Sequence, residues 1–395
     1  MGTDTAVSTP SAATARRRRW PWVLATVIGA VILIGLFAAG WYVSGLLGDS
    51  MRSDHSPAEP DLTIESVSDS TVSYRYDDGY DGWIDQGLMA LSTEQGGWTQ
   101  TAEPEASGAT GERLVGEEQS GPPLRSGQRA RFDGDYFYRD PKAGLGLDFS
   151  EVGIQTPLGP APAWSVPGKR DTWIVFIHGR NGSREESLRV MSAAARGGYP
   201  MLVITYRNDE GAPPGNGYVH FGADEWEDLE AAAQYALDQG AQDLVLAGYS
   251  MGGGIALSFM ANSPLADRVV GMFLDTPIAS VPQQIAIEAE EMGVPGFVTD
   301  LGKWIAELRF GADYGATDYT SQASKFDVPT TVVQGMADET VNPRITRTYA
   351  DAVNAAHPGT VQYEEFADAE HVGSWNVDPP RYDGLVEQLL ERAAG

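Results

Sequence analysis

Hydrophobic positions follow three regimes along the chain. From Trp20 to Gly48 no residue is charged, and apolar side chains run on without a period. Within that window Trp22–Val43 spans 22 residues, and a helix needs about 20 to cross the hydrocarbon core. Trp20 and Trp22 stand at one end and Trp41 and Tyr42 at the other, where aromatic rings favour the two interfaces. The run reads as a transmembrane helix over 20–48. A cleaved signal peptide is the competing reading. Its apolar stretch would be long, and Ala38-Ala39-Gly40 matches a small-x-small cleavage site poorly.

The second regime is β-like. Residues 49–61 form a polar linker, and 62–143 a turn-rich accessory segment. Thr63–Val67 and Thr71–Tyr76 alternate with period two, separated by a Ser-Asp-Ser turn signal. Residues 94–128 are rich in Gly, Glu, Pro and Ser and are expected to form a long loop or flap. The acids of Tyr76–Gly82 fit no EF-hand spacing, so that stretch reads as a solvated turn. Trp83, Trp98, Tyr136, Phe137 and Tyr138 are read as core aromatics in preference to a carbohydrate or acyl platform. The segment has three possible places: extending a sheet, standing as a separate β module, or guarding a site.

The third regime, 144–395, alternates strand and helix. Apolar runs at Trp173–Ile177, Met201–Tyr206, Asp243–Ala247, Val269–Leu274, Thr330–Gln334 and Val361–Phe366 predict strands buried on both faces. Between them helical spacing covers Leu188–Ala195, Glu225–Gln239, Gly252–Ala261 and Ile345–Ala355. This order predicts an α/β domain, a mostly parallel sheet covered by helices on both faces. It breaks between about 276 and 326, where Phe297, Leu301, Trp304, Ile305 and Leu308 recur at helical spacing and predict a small inserted cap.

Charge adds direction to this layout. Residues 1–50 carry four Arg and two Asp, so the whole chain's −28 leaves −30 on the rest. A body that acidic repels polyanions, which excludes nucleic acid as a partner. The 1–19 tail is read as disordered and cytoplasmic, and its Arg16–Arg19 block predicts that the N-terminus stays inside and the acidic body lies outside the cytoplasm. There are no cysteines, which removes disulfides, thiolate metal sites and cysteine nucleophiles. No metal cluster or phosphate-cradling loop stands out, so no cofactor is expected. Oligomeric state is carried by no motif.

The chemistry concentrates at Gly248-Tyr249-Ser250-Met251-Gly252, directly after one strand and before one helix. A nucleophilic serine needs its hydroxyl lifted off the sheet on a sharp turn, and Gly248 and Gly252 let strand and helix approach where a Cβ would clash. In this context the chain resembles the α/β-hydrolase family over roughly 145–392. The resemblance implies the α/β-hydrolase fold and the triad order Ser…Asp…His. Asp338, in Gly335-Met336-Ala337-Asp338 after a later strand, matches the acid, with Asp275 second. Glu339 and Asp327 read as solvated loop charges. His371 follows the last strand in Ala369-Glu370-His371-Val372-Gly373-Ser374-Trp375, which resembles the histidine loop of the membrane-anchored, depalmitoylase- or serine-aminopeptidase-like branch. Of the other histidines, His55 lies in the linker, His357 in a turn, and His220 in a loop that can line a pocket. His178-Gly179 matches the family's oxyanion-loop motif.

The resemblance then implies a serine hydrolase acting on a small-molecule or lipid-like acyl substrate, an ester, thioester or amide. Ser250 would attack, His371 would carry the proton, and Asp338 would hold the imidazole. The Met251 and Arg180 N–H groups would meet the oxyanion. An acyltransferase with the same triad, or a non-catalytic binding module, are the other classes. Because the triad lies beyond residue 240, a chain lacking residues 1–50 is expected to be soluble and active.

Overall fold

The computed structural model describes residues 20–56, 58–77, 87–107, 109–134 and 140–394. The Arg16–Arg19 block, the turn beyond Asp77, and Trp83, Tyr136, Phe137 and Tyr138 lie outside the described residues. The uncharged run forms one helix, α1 (Trp20–Ser50). Its first half is exposed, and burial begins at Gly40 and continues at Ser44 and Gly48.

The accessory segment folds as β1 (Leu62–Val67), β2 (Thr71–Tyr76), β3 (Met89–Thr93), β4 (Trp98–Ser107), β5 (Thr110–Ser120) and β6 (Arg129–Asp133). Among the described residues these close into a barrel in the order β1-β2-β5-β4-β3-β6. Leu62, Ile64, Val72, Tyr74, Leu91 and Phe132 fill it. Arg113 is also buried, its Nε donating to Thr101 Oγ1 at 2.8 Å with the guanidinium over the Phe132 ring. The expected loop or flap over 94–128 is corrected here, since β4 and β5 pair from Trp98↔Ser120 to Ser107↔Thr110. Its composition reads as loop because one face of a barrel hairpin is solvated. Its two strands pair with each other, and their outer edges pair with β3 and β2.

The third regime begins with α2 (Pro141–Leu145), capped by Asp140. An antiparallel hairpin, β7 (Ser150–Thr156) and β8 (Gly159–Val166), follows. Small residues and prolines in β8 hide it from a pattern search for apolar runs. Then come β9 (Thr172–Ile177), α3 (Leu188–Arg196), β10 (Met201–Ile204), α4 (Trp226–Asp238), β11 (Asp243–Tyr249), α5 (Met251–Asn262) and β12 (Val269–Asp275). The cap consists of α6 (Val281–Glu291), α7 (Gly296–Phe310) and a short 3₁₀ turn. The chain closes with β13 (Thr330–Gly335), α8 (Pro343–Ala356), β14 (Val361–Phe366), α9 (Ser374–Val377) and α10 (Pro379–Ala393).

These strands form one sheet, β14-β13-β12-β11-β9-β10-β8-β7, parallel from β14 to β10 and antiparallel beyond. One face packs on α4, α5 and α8 through Leu229, Ile255, Phe259 and Tyr349. The other packs on α3 and α10 through Leu188, Met191, Tyr382 and Leu389. Burial on both faces is why the strands read as unbroken apolar runs. The central strand β11 lies between β9 and β12, so the turn after it opens at the carboxyl edge of the sheet, where doubly wound folds place their sites.

Candidate active site

Ser250 occupies the turn from β11 to α5 with φ 50° and ψ −116°, a backbone state that L-residues avoid. Its neighbours explain why the chain tolerates it. A Cβ at Gly252 would collide with the carbonyl oxygens of Ile177 and His178, and one at Gly248 would come within 2.6 Å of the Gly252 carbonyl oxygen. The turn is tied down by Ser250 N–H donating to Asp275 O at 2.9 Å, and by Ile278 N–H donating to Ser250 O at 3.1 Å. The hydroxyl is thereby held at the sheet edge by contacts that a side chain at either glycine would break.

The structure brings Ser250, His371 and Asp338 together. Ser250 Oγ lies 2.9 Å from His371 Nε2, and His371 Nδ1 lies 2.9 Å from Asp338 Oδ2. The Asp338 side chain is fully buried, and its Oδ1 accepts the N–H groups of Thr340 at 2.7 Å and Val341 at 2.8 Å. Those bonds fix the carboxylate plane without using the oxygen that faces the imidazole. Gly335 has no room for a Cβ against the Ala369 and Glu370 carbonyls, so β13 and the histidine loop come close enough for Asp338 to reach His371.

The other candidates are engaged elsewhere. Asp275 is wholly buried, accepting Tyr382 Oη–H at 2.7 Å and Thr276 Oγ1–H at 3.0 Å, and burial pushes its carboxyl up. His220 faces Asp224 at 2.6 Å and the Phe310 carbonyl at 3.1 Å; burial lowers its pKa, but Asp224 outweighs that and raises it. It ties a loop to the end of α7. His357 meets Ser324 O and His55 meets Asn208 O, both at exposed sites.

His178 opens the candidate oxyanion loop directly after β9. Its Nε2 faces Asp209 Oδ2 at 2.8 Å and its Nδ1 faces Gly179 O at 2.8 Å, with the ring stacked on Tyr206. Burial disfavours a charge there, but the Asp209 carboxylate, its hydrogen bond and nearby Glu186 outweigh it and raise the imidazole to about 9. With an acceptor on each nitrogen, His178 is a fixed cation at neutral pH.

The two candidate oxyanion donors differ in how they are supplied. Met251 is the first residue of α5, so its N–H has no intrahelical acceptor and stands beside the nucleophile. On the facing loop, Gly179 N–H is committed to Glu186 Oε2 at 2.7 Å, which leaves Arg180 N–H as the candidate there. The Arg180 side chain turns away and donates to Ser50 O at the end of α1. Asn181, at φ 58°, accepts Asp54 N–H at 2.9 Å. The linker after α1 therefore braces the loop directly.

Three positions that shape the site escape the sequence reading. Glu186 belongs to Ser183-Arg184-Glu185-Glu186, a capping-box pattern visible in sequence, but its carboxylate reaches back to Gly179 N–H instead of a helix cap. Asp209 accepts Tyr206 N–H at 2.8 Å as well as facing His178, and its polar surroundings look like an ordinary turn. Asn376 carries no local signal. Its Nδ2 donates to Leu88 O and Gly134 O, each at 2.7 Å, pinning the histidine loop to the barrel. A cavity of about 320 Å³ lies along that seam, lined by Phe132, Asp133, Arg189, His371 and Asn376 among others.

A family model described as "Alpha/beta hydrolase family" matches residues 174–391, more than half of the chain. No curated protein matches the sequence. Among solved structures, an esterase of Pyrococcus furiosus is 20% identical with a TM-score of 0.52, over 65% of this chain and 97% of that one. Est1E from Butyrivibrio proteoclasticus, solved with ferulic acid, is 16% identical with a TM-score of 0.48, over 62% and 100% of the two chains. A thermophilic esterase of Thermogutta terrifontis is 20% identical with a TM-score of 0.46, again over 62% and 100%. At these identities the likeness is one of fold. The family match begins beyond α1 and the barrel.

Proposed function

The chain belongs to the α/β-hydrolase family and is a hydrolase of that family, and from this premise we propose a membrane-anchored, extracytoplasmic serine hydrolase that cleaves an ester, thioester or amide. His371 Nε2 takes the Ser250 proton as Oγ attacks the acyl carbon, and returns a proton to the leaving group as the acyl-enzyme forms. Water, deprotonated by the same nitrogen, then releases the acid. Asp338 holds the tautomer and stabilises the imidazolium. The N–H groups of Met251 and Arg180 meet the oxyanion, each donor being worth about 3–4 kcal/mol of barrier. One observation carries this reading: an unbroken relay from a strained serine at the carboxyl edge of the sheet through imidazole to a carboxylate that backbone N–H groups lock in place.

Turnover of p-nitrophenyl acyl esters of increasing chain length, with and without added acceptor alcohols, tests the proposal. The expected result is hydrolysis that Ser250→Ala abolishes and that alcohols do not divert. Dominant transfer to the alcohol would replace hydrolase by acyltransferase. Retention of more than about a tenth of the rate in Ser250→Ala would refute the nucleophile.

The anchor is the second part of the proposal. It is supported by the length of α1, whose most apolar window has a mean hydropathy of 2.5. A further support is that its outer end is packed as part of the folded body: Ser44 Oγ accepts Arg309 at 2.6 Å, and Leu47 joins the cap core. A signal peptide cleaved near Ala39 would expose its fresh end inside that packing, which favours retention. The Arg16–Arg19 block orients the N-terminus inward. The histidine-loop resemblance to the membrane-anchored, depalmitoylase- or serine-aminopeptidase-like branch agrees with this placement. Protease added to intact spheroplasts is expected to digest the catalytic body; protection until lysis would reverse the orientation.

A further inference from the structure

The α6–α7 hairpin of the cap carries an apolar tip that stays exposed among the described residues. From Met292 to Thr299 no residue is charged. Met292 is 63% exposed and Phe297 62%, and Trp304 and Leu308 continue the same stripe along α7 at 55% and 69%. Positions 297, 301, 304 and 308 fall on one side of a helix with 3.6 residues per turn. The opposite sides of α7 are accounted for: Val298, Ile305 and Ala306 are buried, while Asp300, Lys303 and Glu307 form a polar edge, with Lys303 paired to Asp300 at 2.9 Å. A contiguous Phe-Leu-Trp-Leu stripe needs a partner, where one exposed leucine would not.

What lies beside the stripe is α1. Gly40 packs against Leu301 and Ile305, Gly302 against Val43, and Gly48 against Phe310. The two helices therefore run in the same direction, nine residues of α7 advancing against eight of α1. Trp304 comes level with Trp41 and Tyr42, the aromatic residues at the outer end of the apolar run. Phe297 lies about 10 Å further toward the middle of that run, at 1.5 Å per residue. Arg309 marks the same boundary, its guanidinium 4.0 Å over the Trp41 ring and donating to Ser44 Oγ, as a cation does where it escapes the hydrocarbon.

We propose that the α6–α7 tip is a membrane-dipping element: Met292 and Phe297 enter the outer leaflet beside α1 while Trp304 sits at its interface. The inference rests on the reading of α1 as a retained anchor. Lipid is the occupant because the stripe continues the apolar surface of α1 at the same depth. The consequence for substrate follows from connectivity. Leu47 of α1 and Ile278 pack on the same cap core, and Ile278 N–H bonds the Ser250 carbonyl oxygen at 3.1 Å. The segment bonded to the backbone of the nucleophile is thus part of the body seated on the leaflet, and the substrate is an acyl group resident in that leaflet.

The absence of cysteine makes the test direct, since any introduced thiol is unique. Full-length Phe297→Cys, Trp304→Cys and Glu307→Cys would be nitroxide-labelled in phosphatidylcholine vesicles, with Val27→Cys as the lipid reference and Glu391→Cys as the water reference. Power saturation compares accessibility to oxygen and to a nickel chelate. Labels at 297 and 304 are expected to favour oxygen as at 27, and the label at 307 to favour the chelate as at 391. If 27 reads as lipid but 297 and 304 read as water, the dipping tip is overturned and the anchor stands. If 27 also reads as water, the anchor fails and the tip with it. If 297 and 304 reach neither reagent and labelled copies broaden one another, a second copy covers the stripe and the proposal falls. The combined Met292→Ser, Phe297→Ser and Trp304→Ser chain is expected to lose about tenfold or more on a long-chain ester embedded in the vesicles, and less than about twofold on soluble p-nitrophenyl butyrate. Equal loss on both would overturn the substrate assignment. Activity on neither ester in the unaltered chain would refute the hydrolase reading while leaving the depth measurement to judge the tip.

Discussion

His371 and His178 each stand after a strand of the same sheet with a carboxylate on one ring nitrogen, at 2.9 and 2.8 Å. They differ at the other nitrogen. His371 Nε2 meets the Ser250 hydroxyl, which can give up a proton; His178 Nδ1 meets the Gly179 carbonyl, which can only accept one. The His371 side chain is 26% exposed and His178 only 2%. One ring faces a hydroxyl that can release a proton, and the other is held as a cation at neutral pH with an acceptor on each nitrogen. A neighbouring carboxylate does not make a general base; the partner on the far nitrogen does.

The comparison breaks most visibly at the first pair. Removing the hydroxyl or the ring, by Ser250→Ala or His371→Ala, is expected to lower ester turnover at least about a thousandfold, with circular dichroism unchanged because neither side chain fills the core. Asp338→Asn keeps the shape but offers an amide where the imidazole N–H needs an acceptor, and about a hundredfold to ten-thousandfold loss is expected in kcat. A rate within threefold of wild type in Asp338→Asn would move the acid to another residue.

At the second pair the expected signature is in stability. The folded pKa of His178 is raised from 6.5 to about 9, so its contribution is fully present below pH 6.5 and is lost as pH rises through 9. A shift of that size is on the order of 3 kcal/mol. Asp209→Asn should therefore melt well below wild type at pH 6.5, and the gap should close by about pH 9.5. A gap independent of pH would mean that His178 is not held as a cation. Turnover should fall only about tenfold, through a looser oxyanion loop.

The smallest effects belong to braces that join the family match to the chain before it. Asn376→Ala strands the Leu88 and Gly134 carbonyls and is expected to cost about 1–3 kcal/mol of stability, with a severalfold loss of kcat and little change in KM. The linker sharpens the expectation for truncation. Leu47 sits in the cap core, Met51 is fully buried, and Ser50 O accepts the Arg180 side chain. A chain starting at residue 39 should thus be more active than one starting at 51; equal rates would show that the brace is idle.

What the sequence made legible was what local physics dictates. The strands of the sheet announce themselves because both faces are buried, and the elbow does because Gly248, Gly252 and the serine must lie within one turn. Asp338 and His371 stand out as candidates through their places after strands, in an order that the resemblance supplies. The β4–β5 hairpin reads as a loop because Gly, Glu, Pro and Ser crowd it, although its two strands pair with each other. Asp209 and Asn376 look like turn residues until the fold brings His178 and Leu88 to them. The direction of α7 along α1 is likewise invisible, since its glycine contacts join residues some 260 positions apart.

The central claim is that His371 activates Ser250, and one measurement addresses it without knowledge of the natural substrate. The full chain and its His371→Ala variant would be treated with a fluorophosphonate, digested, and mapped by mass spectrometry. The account predicts a single adduct on the peptide containing Ser250 in the wild type and almost none in the variant. An adduct on a different serine, or equal labelling of Ser250 without His371, would contradict it.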